Sequence, residues 1–242
     1  MPRFFKENFK QAPFIDGADA VHISRSLRMR VGEKLVVCDS KGNDFNCVIT
    51  GVAADRVDLE IKEELQTQSE PDVKLTLCTA LLKGDKFEYV IRHSVELGVS
   101  EIIPFFSDNC VSRPDARSIL GKISRWQKIS DEAAGQSGRG ILPKINPAIT
   151  LKELAEGFAD FDLVLFFYEC GGCALGKIMC ENVGVKKIAI ITGPEGGFSK
   201  SEADMLVSAG AKVISLGKRI LRAETAPLAA VTGVMLLTDN LE

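Results

Sequence analysis

Residues 188–226 read IAIITGPEGGFSKSEADMLVSAGAKVISLGKRILRAETA, and this stretch decides the fold. It contains two short apolar runs, 188–192 and 213–216, and each run is followed by a glycine-bearing loop, 193–199 and 217–225. Short buried strands with a helix between them are typical of parallel pairing, which brings both loops to the same edge of the sheet. Ligands of open α/β sheets bind at that edge, so we expect the functional site there.

Composition and charge narrow the class of protein. The chain has 242 residues, enough for one large domain or two small ones. A net charge of −3 argues against nucleic-acid binding through bulk charge but leaves room for a local basic patch. No apolar run approaches the roughly 20 residues that span a bilayer, and the N-terminus has no signal-peptide core, so we expect a cytoplasmic protein without a membrane partner. Most of the seven cysteines are then expected to be reduced, structural residues.

The first 70 residues have the pattern of a small β domain. Segments 31–38, 44–51 and 57–61 carry β-branched and alternating residues, and turn-rich stretches separate them. This spacing predicts a small antiparallel barrel. Ahead of the strands, 22–30 predicts a short helix with one basic face, and the polar stretch 63–72 predicts a linker to the second domain.

The remainder, 71–242, alternates strand and helix patterns. Gly98, Gly184 and Gly210 each stand just after a predicted helix and shortly before a predicted strand, where a left-handed glycine ends a helix at little cost. These glycines support a repeated α-to-β connection. The predicted strands are 73–80, 102–106, 163–167, 188–192 and 213–216, and the predicted helices are 85–97, 118–134, 151–156, 174–182, 200–209 and 227–239.

Several familiar chemistries do not fit the motifs. The loop 193–199 matches neither the phosphate-binding loop G-x-x-x-x-G-K-[ST] nor the dinucleotide fingerprint G-x-G-x-x-G. A hydrolase triad lacks a G-x-S-x-G motif, and the chain has only two histidines. The pair Cys170 and Cys173 has metal or redox spacing, but a structural zinc site needs four ligands, so two small cysteines on a turn are favoured over a metal site.

Basic residues cluster in two places. Arg25, Arg28, Arg30 and their neighbours form a group near the start that is either a solvated face or an RNA-docking patch. A second group, made of Lys218, Arg219 and Arg222, lies in the loop at the expected ligand edge. Three cations there favour an anionic substrate or a transition state that gains negative charge.

Taken together, the loop 193–199 and the stretch 216–226 closely resemble the bacterial 16S ribosomal RNA uridine N3-methyltransferase family, within the SPOUT (trefoil-knot) superfamily. Further matching stretches are 1–5, 83–86, 96–99, 125–126 and 136–139, so the resemblance covers essentially the whole chain. One departure is Gly135, where relatives usually carry an acidic residue, and Glu132 lies one turn earlier.

The resemblance implies a fold, a cofactor and a partner. The fold would be α/β, with an N-terminal small PUA-like β-barrel over 1–70 that helps bind RNA and a C-terminal parallel-sheet trefoil-knot domain over 71–242. The family works as a homodimer on the 16S rRNA of the 30S subunit. S-adenosylmethionine would be held largely by backbone groups of three loops. The implied cofactor-binding residues are Tyr168, Glu169, Thr192, Gly193, Pro194, Glu195, Gly196, Leu216, Gly217, Ile220, Leu221, Arg222, Thr225 and Ala226.

Uridine N3 methylation defines the chemical requirements of such a site. The N3 proton must leave, and charge that spreads onto O2 and O4 must be stabilised. We assign this stabilisation to Arg222, with Arg219, against the alternatives of a dimer salt bridge or a phosphate contact. Glu224 is a candidate general base. Two alternatives are equally good: Glu224 caps the last helix, and the N3 proton is lost to water.

The expected RNA-binding residues are Arg3, His22, Arg25, Arg28 and Arg30, and no metal is expected. Two other functions stay open at this point. One is a knotted RNA-binding protein without activity, and the other is a related enzyme that acts on another RNA nucleotide.

Overall fold

The computed structural model describes residues 1–241, with the backbone alone for residue 116. The chain divides into two compact units. The N-terminal unit comprises 1–70 together with 134–142, and the C-terminal unit comprises 71–133 together with 143–242. The segment 134–142 groups with the N-terminal unit. The predicted domain bounds, 1–70 and 71–242, stay a prediction.

The N-terminal unit is built on a five-stranded sheet in the order β1-β3-β4-β5-β2. Its pairings are antiparallel except for β1 with β3, which run parallel. Alternate residues of the strands point into the core, among them the fully buried Leu35, Val37, Ile49 and Val57. The strands are β1 Arg3–Phe5, β2 Phe14–Asp16, β3 Lys34–Cys38, β4 Asn43–Val52 and β5 Arg56–Gln66.

Two details of this unit correct the sequence-based predictions. The stretch 63–66 is not linker: β5 continues to Gln66 because Asn43–Asn46 of β4 pair with it residue by residue. The basic helix begins earlier than predicted, as α1 (Gly17–Val21), and continues through a π-helical turn over His22–Ser26. Arg28 then adopts a left-handed φ of 52°, which takes the chain out of the helix.

The C-terminal unit contains a parallel sheet of eight strands. Seven follow the order β11-β13-β10-β12-β6-β7-β8, and β9 pairs with β7. Central strands of such a sheet are covered on both faces and are apolar throughout, as in Ile188, Ala189, Ile190 and Ile191, which are all fully buried. The strands are β6 Lys74–Ala80, β7 Glu101–Phe106, β8 Lys144–Ile145, β9 Ile149–Thr150, β10 Leu163–Phe167, β11 Cys173–Ala174, β12 Lys187–Thr192 and β13 Lys212–Ser215.

The helices of this unit confirm the predicted alternation. Gly98, Gly184 and Gly210 all have positive φ, at 100°, 82° and 108°, as the predicted helix ends require. The two-residue strands β8, β9 and β11 were not predicted, because two residues are too few to show the alternation typical of a strand. The helices are α2 Lys86–Glu96, α3 Ala116–Gln136, α4 Leu151–Glu156, α5 Leu175–Glu181, α6 Lys200–Ser208 and α7 Thr225–Leu237. No helix among residues 1–241 is long and apolar enough to cross a bilayer.

Candidate active site

Three loops meet at the carboxyl edge of the parallel sheet. Strand β10 pairs with both β12 and β13, so the chain segments that follow these three strands emerge side by side. They enclose a cavity of about 540 Å³. This volume lies within the range of small-molecule sites, and the position is the one expected for ligands of an open α/β sheet.

The expected cofactor-binding residues surround this one cavity. All fourteen line it except Thr225, which follows the lining residue Glu224. Their role as ligands stays a prediction, since lining a cavity is a geometric property. The sequence prediction missed four lining residues, Lys86, Phe167, Ile214 and Ser215. The wall is completed by Gly197, Lys218 and Ala223, which lie in the predicted loops, and by Arg219 and Glu224, which had been predicted for catalysis.

The first loop, 193–199, is closely packed around its glycines. A Cβ at Gly193 would lie 2.6 Å from the ring of Phe198, and Gly197 has a φ of 65° with the carboxylate of Glu169 directly over it. The loop ends in a capping box, in which the Ser199 hydroxyl accepts the N–H of Glu202 and the Glu202 carboxylate accepts the N–H of Ser199. Glycine is thus required for close approach within the loop.

Aromatic rings pack against Tyr168, which lines the cavity. Its ring stacks on Phe166 with centroids 5.1 Å apart, and Phe198 meets Phe166 edge to face at 4.9 Å. A hydrogen bond with the Cys170 thiol, followed by burial, raises the pKa of the Tyr168 hydroxyl to about 12. The Tyr168 side chain is therefore neutral at physiological pH and presents a ring and a hydroxyl to the cavity.

The second loop carries the cations expected from the sequence. Lys218, Arg219 and Arg222 are exposed at the cavity, and no carboxylate lies within ion-pair distance of these three side chains in the described part of the chain. Ile220, between them, is 85% exposed. The loop thus presents three free charges and one apolar side chain to a partner at the mouth of the cavity.

Glu224 lies deeper and is ion-paired. Its Oε2 is 3.1 Å from the Nζ of Lys86, which also lies 3.8 Å from Oε1 of Glu195. Burial raises the pKa of the Glu224 carboxyl, but its own backbone N–H and Lys86, together with the charge of Arg222, outweigh burial and hold the pKa below its usual value. A carboxylate with a lowered pKa is a weak proton acceptor, so its assignment as general base stays a prediction that the geometry does not favour.

The expected RNA-binding residues differ in their surroundings. Arg3 makes two 2.7 Å hydrogen bonds to the carboxylate of Asp44 and is largely buried, so its guanidinium is engaged inside the N-terminal unit. His22, Arg25, Arg28 and Arg30 are exposed around the end of α1. We call these four exposed side chains the α1 basic patch.

The comparisons with known proteins agree over the whole chain. Residues 69–235 match the RNA methyltransferase domain family, and residues 15–62 match the RNA methyltransferase PUA domain. The ribosomal RNA small subunit methyltransferase E of Bacillus subtilis (strain 168) is 31% identical over 252 aligned residues, covering 100% of this chain and 98% of that protein. This chain belongs to the ribosomal RNA small subunit methyltransferase E family.

Two solved methyltransferase structures have the same fold. The enzyme from Neisseria gonorrhoeae, bound to S-adenosyl methionine, aligns with a TM-score of 0.89 at 33% identity, over 98% of both chains. A putative methyltransferase from Legionella pneumophila, in complex with the same cofactor, aligns with a TM-score of 0.88 at 28% identity, over 98% of this chain and 97% of the other. The family and fold predicted from the sequence, a PUA domain followed by a parallel α/β methyltransferase domain, are confirmed.

Gly135 and the cysteine pair are two unusual features of this family member. A Cβ at Gly135 would meet the ring of Phe5 at 3.8 Å, an ordinary contact, so packing does not impose glycine at this departure from the family pattern. Cys170 and Cys173 are free and exposed, as is Cys180. Within residues 1–241 no three metal-binding side chains come together, so the cysteine pair has no further ligands nearby.

Proposed function

We propose that this chain methylates N3 of a specific uridine in the 16S rRNA of the small ribosomal subunit, with S-adenosylmethionine as methyl donor. The observation that carries the proposal is the three-loop cavity at the carboxyl edge of the sheet. It belongs to a chain that aligns end to end with a methyltransferase E whose structure contains that cofactor.

The residues present fit S-adenosylmethionine. A side chain on Gly193 or Gly197 would collide with Phe198 or Glu169, so the loop brings backbone N–H and C=O groups close to the cavity. The hydroxyl of Thr192 is buried at the cavity without a hydrogen-bond partner in the described structure, as a ligand-facing group would be. When bound, the cofactor supplies an electrophilic methyl group to a nucleophilic nitrogen.

Arg222, with Arg219, has the charge and position to stabilise the uracil anion. Methylation at N3 removes a proton and spreads negative charge over O2 and O4. A guanidinium donates in a planar fork and keeps its charge at any physiological pH, which suits two oxygens flanking one nitrogen. Both arginines are exposed at the cavity and free of carboxylate partners in the described residues, so their donors are available to substrate.

Loss of the N3 proton to water is the favoured path. Glu224 is paired with Lys86 and has a lowered pKa, so it is poorly suited to accept a proton. A uracil whose anion is stabilised by two arginines becomes more acidic and releases its proton more readily. Glu224 as general base is the alternative within the same mechanism.

RNA would be bound by the α1 basic patch and by the second loop. Exposed arginines and a histidine on a PUA domain suit phosphate contacts, which position RNA without reading its sequence. Lys218 at the cavity mouth adds a cation near the reacting base. A 16S rRNA substrate supports a cytoplasmic location, where small subunits are assembled.

A homodimer would cover the exposed side of α7. This helix is apolar on nearly all sides, yet Leu236 and Leu237 are 53% and 47% exposed, and Leu228, Ala229 and Thr232 are only partly covered. An all-round apolar helix is normally buried. A second copy of the chain, related by two-fold symmetry, would bury the same face on both protomers.

Mapping of the methylated nucleotide tests the proposal. The protein is incubated with S-adenosylmethionine and 30S particles that lack the modification, with naked 16S rRNA alongside, and the RNA is digested and mapped by mass spectrometry. We expect one uridine to gain one methyl group on N3. Methylation of another base, or none despite cofactor binding by calorimetry, would contradict the proposal and favour a related RNA enzyme or an inactive RNA-binding protein.

A further inference from the structure

Lys86 stands at a position that its own helix disfavours. It is the first residue of α2, where unpaired backbone N–H groups give the helix end a partial positive charge. A cation there costs free energy unless carboxylates compensate it. A residue that is unfavourable in its own helix, and whose cost is offset by residues from other elements, often marks a functional site. The Lys86 side chain lines the cavity, so the compensation takes place at the candidate site.

Two carboxylates from two different loops provide the compensation. Glu195 belongs to the loop after β12 and Glu224 to the loop after β13, and the Lys86 ammonium lies 3.8 Å from one and 3.1 Å from the other. Glu195 also accepts the backbone N–H of Lys83 at 3.0 Å. The segment after β6 thus contacts the first loop through Glu195 and the second loop through Glu224.

The ammonium of Lys86 compensates the negative charge of the Glu224 carboxylate. Its Oε2 is buried and makes no hydrogen bond within the described structure, although Lys86 lies close enough for an ion pair. The other cation that acts on Glu224 is Arg222, from the same loop, and the acid that faces it across the ammonium is Glu195. Without Lys86, two carboxylates on separate loops would repel one another across the cavity wall.

We propose that Lys86 is a positioning residue whose ammonium joins Glu195 to Glu224 and thereby holds the two cofactor loops at the spacing that the cofactor requires. This inference rests on the proposed function, because it takes the cavity to be the S-adenosylmethionine site. It assigns to Lys86 neither contact with the cofactor nor a role in proton transfer.

Hydrogen exchange of the cofactor-free protein tests the inference without any ligand. Lys86→Met should speed amide exchange in 193–197 and in 216–224 relative to wild type, and Lys86→Arg should restore protection because it keeps the charge. Lys212→Met, an exposed lysine on β13 without an ion pair among the described residues, is the matched control. Exchange in both loops that equals the Lys212→Met control would overturn the proposal.

Calorimetry with S-adenosylmethionine supplies the second readout. Lys86→Met should weaken the Kd about tenfold, and Lys86→Arg should stay close to wild type. Adding Glu224→Gln to Lys86→Met should recover most of the affinity, because the uncompensated carboxylate is gone. Additive losses in the double variant would argue against the charge bridge. If the wild-type protein fails to bind the cofactor, the proposed function fails, while hydrogen exchange still decides the role of Lys86.

The pH dependence separates this role from a purely structural one. In Lys86→Met the burial of Glu224 is offset only by its own backbone N–H and by Arg222, so its pKa rises relative to wild type and the carboxyl is protonated more readily as pH falls. Protonation removes the repulsion from Glu195, so the Kd of this variant, normalised to that of wild type, should improve as pH falls from 8 towards about 5. A normalised Kd that is flat over this interval would contradict the proposal.

Discussion

Arg139 and Glu70 form a bidentate ion pair inside the N-terminal unit. The Nη2 of Arg139 lies 2.7 Å from Oε2 of Glu70 and its Nε lies 3.1 Å from Oε1. The arginine side chain is only 4% exposed, and Oε1 also accepts the backbone N–H of Gly140 at 2.8 Å. This ion pair links the segment 134–142 to the end of the first 70 residues, within the same unit.

Removing one member of this pair should destabilise the fold. Arg139→Met leaves the Glu70 charge partly buried without its cation, so the free energy of unfolding in urea should fall by about 3–5 kcal/mol. The control is Lys152→Met, whose side chain is 81% exposed and pairs with Glu156, itself 66% exposed, and which should cost less than about 1 kcal/mol. Equal losses in the two variants would show that burial of the Arg139 pair has no energetic consequence.

Glu70 illustrates what the sequence did not reveal. Its stretch is polar and aperiodic, which predicts a linker, yet its partner lies 69 residues away and the pairing has no local signature. Strand β5 extends to Gln66 for a similar reason, since pairing with β4 overrides the polar composition. Lys86 lies in the resembling stretch 83–86, but its role could not be predicted from the sequence. Its two carboxylate partners come from loops that are distant along the chain.

The parallel sheet and the position of the site, by contrast, could be predicted from the sequence. Runs such as 163–167 and 188–191 are apolar throughout because both faces of the sheet are covered, and left-handed glycines such as Gly98 and Gly210 mark the helix ends. Once strands are parallel, their following loops must share one edge. The loops that line the cavity could therefore be placed together from the sequence, but their hydrogen bonds could not.

Gly193→Ala should impair cofactor binding. The added Cβ would lie 2.6 Å from the Phe198 ring, so the loop or the ring must shift. Calorimetry with S-adenosylmethionine should show at least a tenfold weaker Kd, which is about 1.4 kcal/mol. Gly176→Ala in α5 is the control: nothing lies within 4 Å of the added Cβ, and alanine favours the helix, so its Kd should not change. A Gly193→Ala variant that binds like wild type would contradict the close packing of this loop.

Arg222→Ala should slow methyl transfer much more than it weakens cofactor binding. Loss of a charged donor to a developing anion typically costs about 10²–10³ in rate. Single-turnover transfer to unmodified 30S particles measures the chemical step, and calorimetry measures the Kd for S-adenosylmethionine. Arg222→Lys should recover part of the rate, because charge returns without the planar fork. A weaker Kd with unchanged single-turnover chemistry would assign Arg222 to cofactor binding instead.

The seven cysteines should divide into two classes of reactivity. Cys170, Cys173 and Cys180 are exposed, whereas Cys38, Cys47, Cys78 and Cys110 are buried. Burial raises the pKa of Cys38 to about 11 and that of Cys47 to about 12, which lowers the fraction of reactive thiolate at neutral pH. A thiol reagent at pH 7.5 should therefore modify three cysteines quickly in the native protein and all seven in urea. Fast modification of more than three in the native state would contradict the burial.

Charge removal in the α1 basic patch should weaken RNA binding and reduce its dependence on salt. Arg25→Gln with Arg28→Gln removes two exposed cations, and each phosphate contact contributes about 0.7–0.9 to the slope of log K against log salt concentration. The slope for a 16S rRNA fragment should therefore become shallower by about 1.4–1.8. The matched control, Arg92→Gln with Lys128→Gln, removes two exposed cations from α2 and α3, so the two double variants have the same net charge. If both double variants change the slope equally, overall charge rather than the patch determines RNA affinity; if neither does, the patch is a solvated face that makes no phosphate contact.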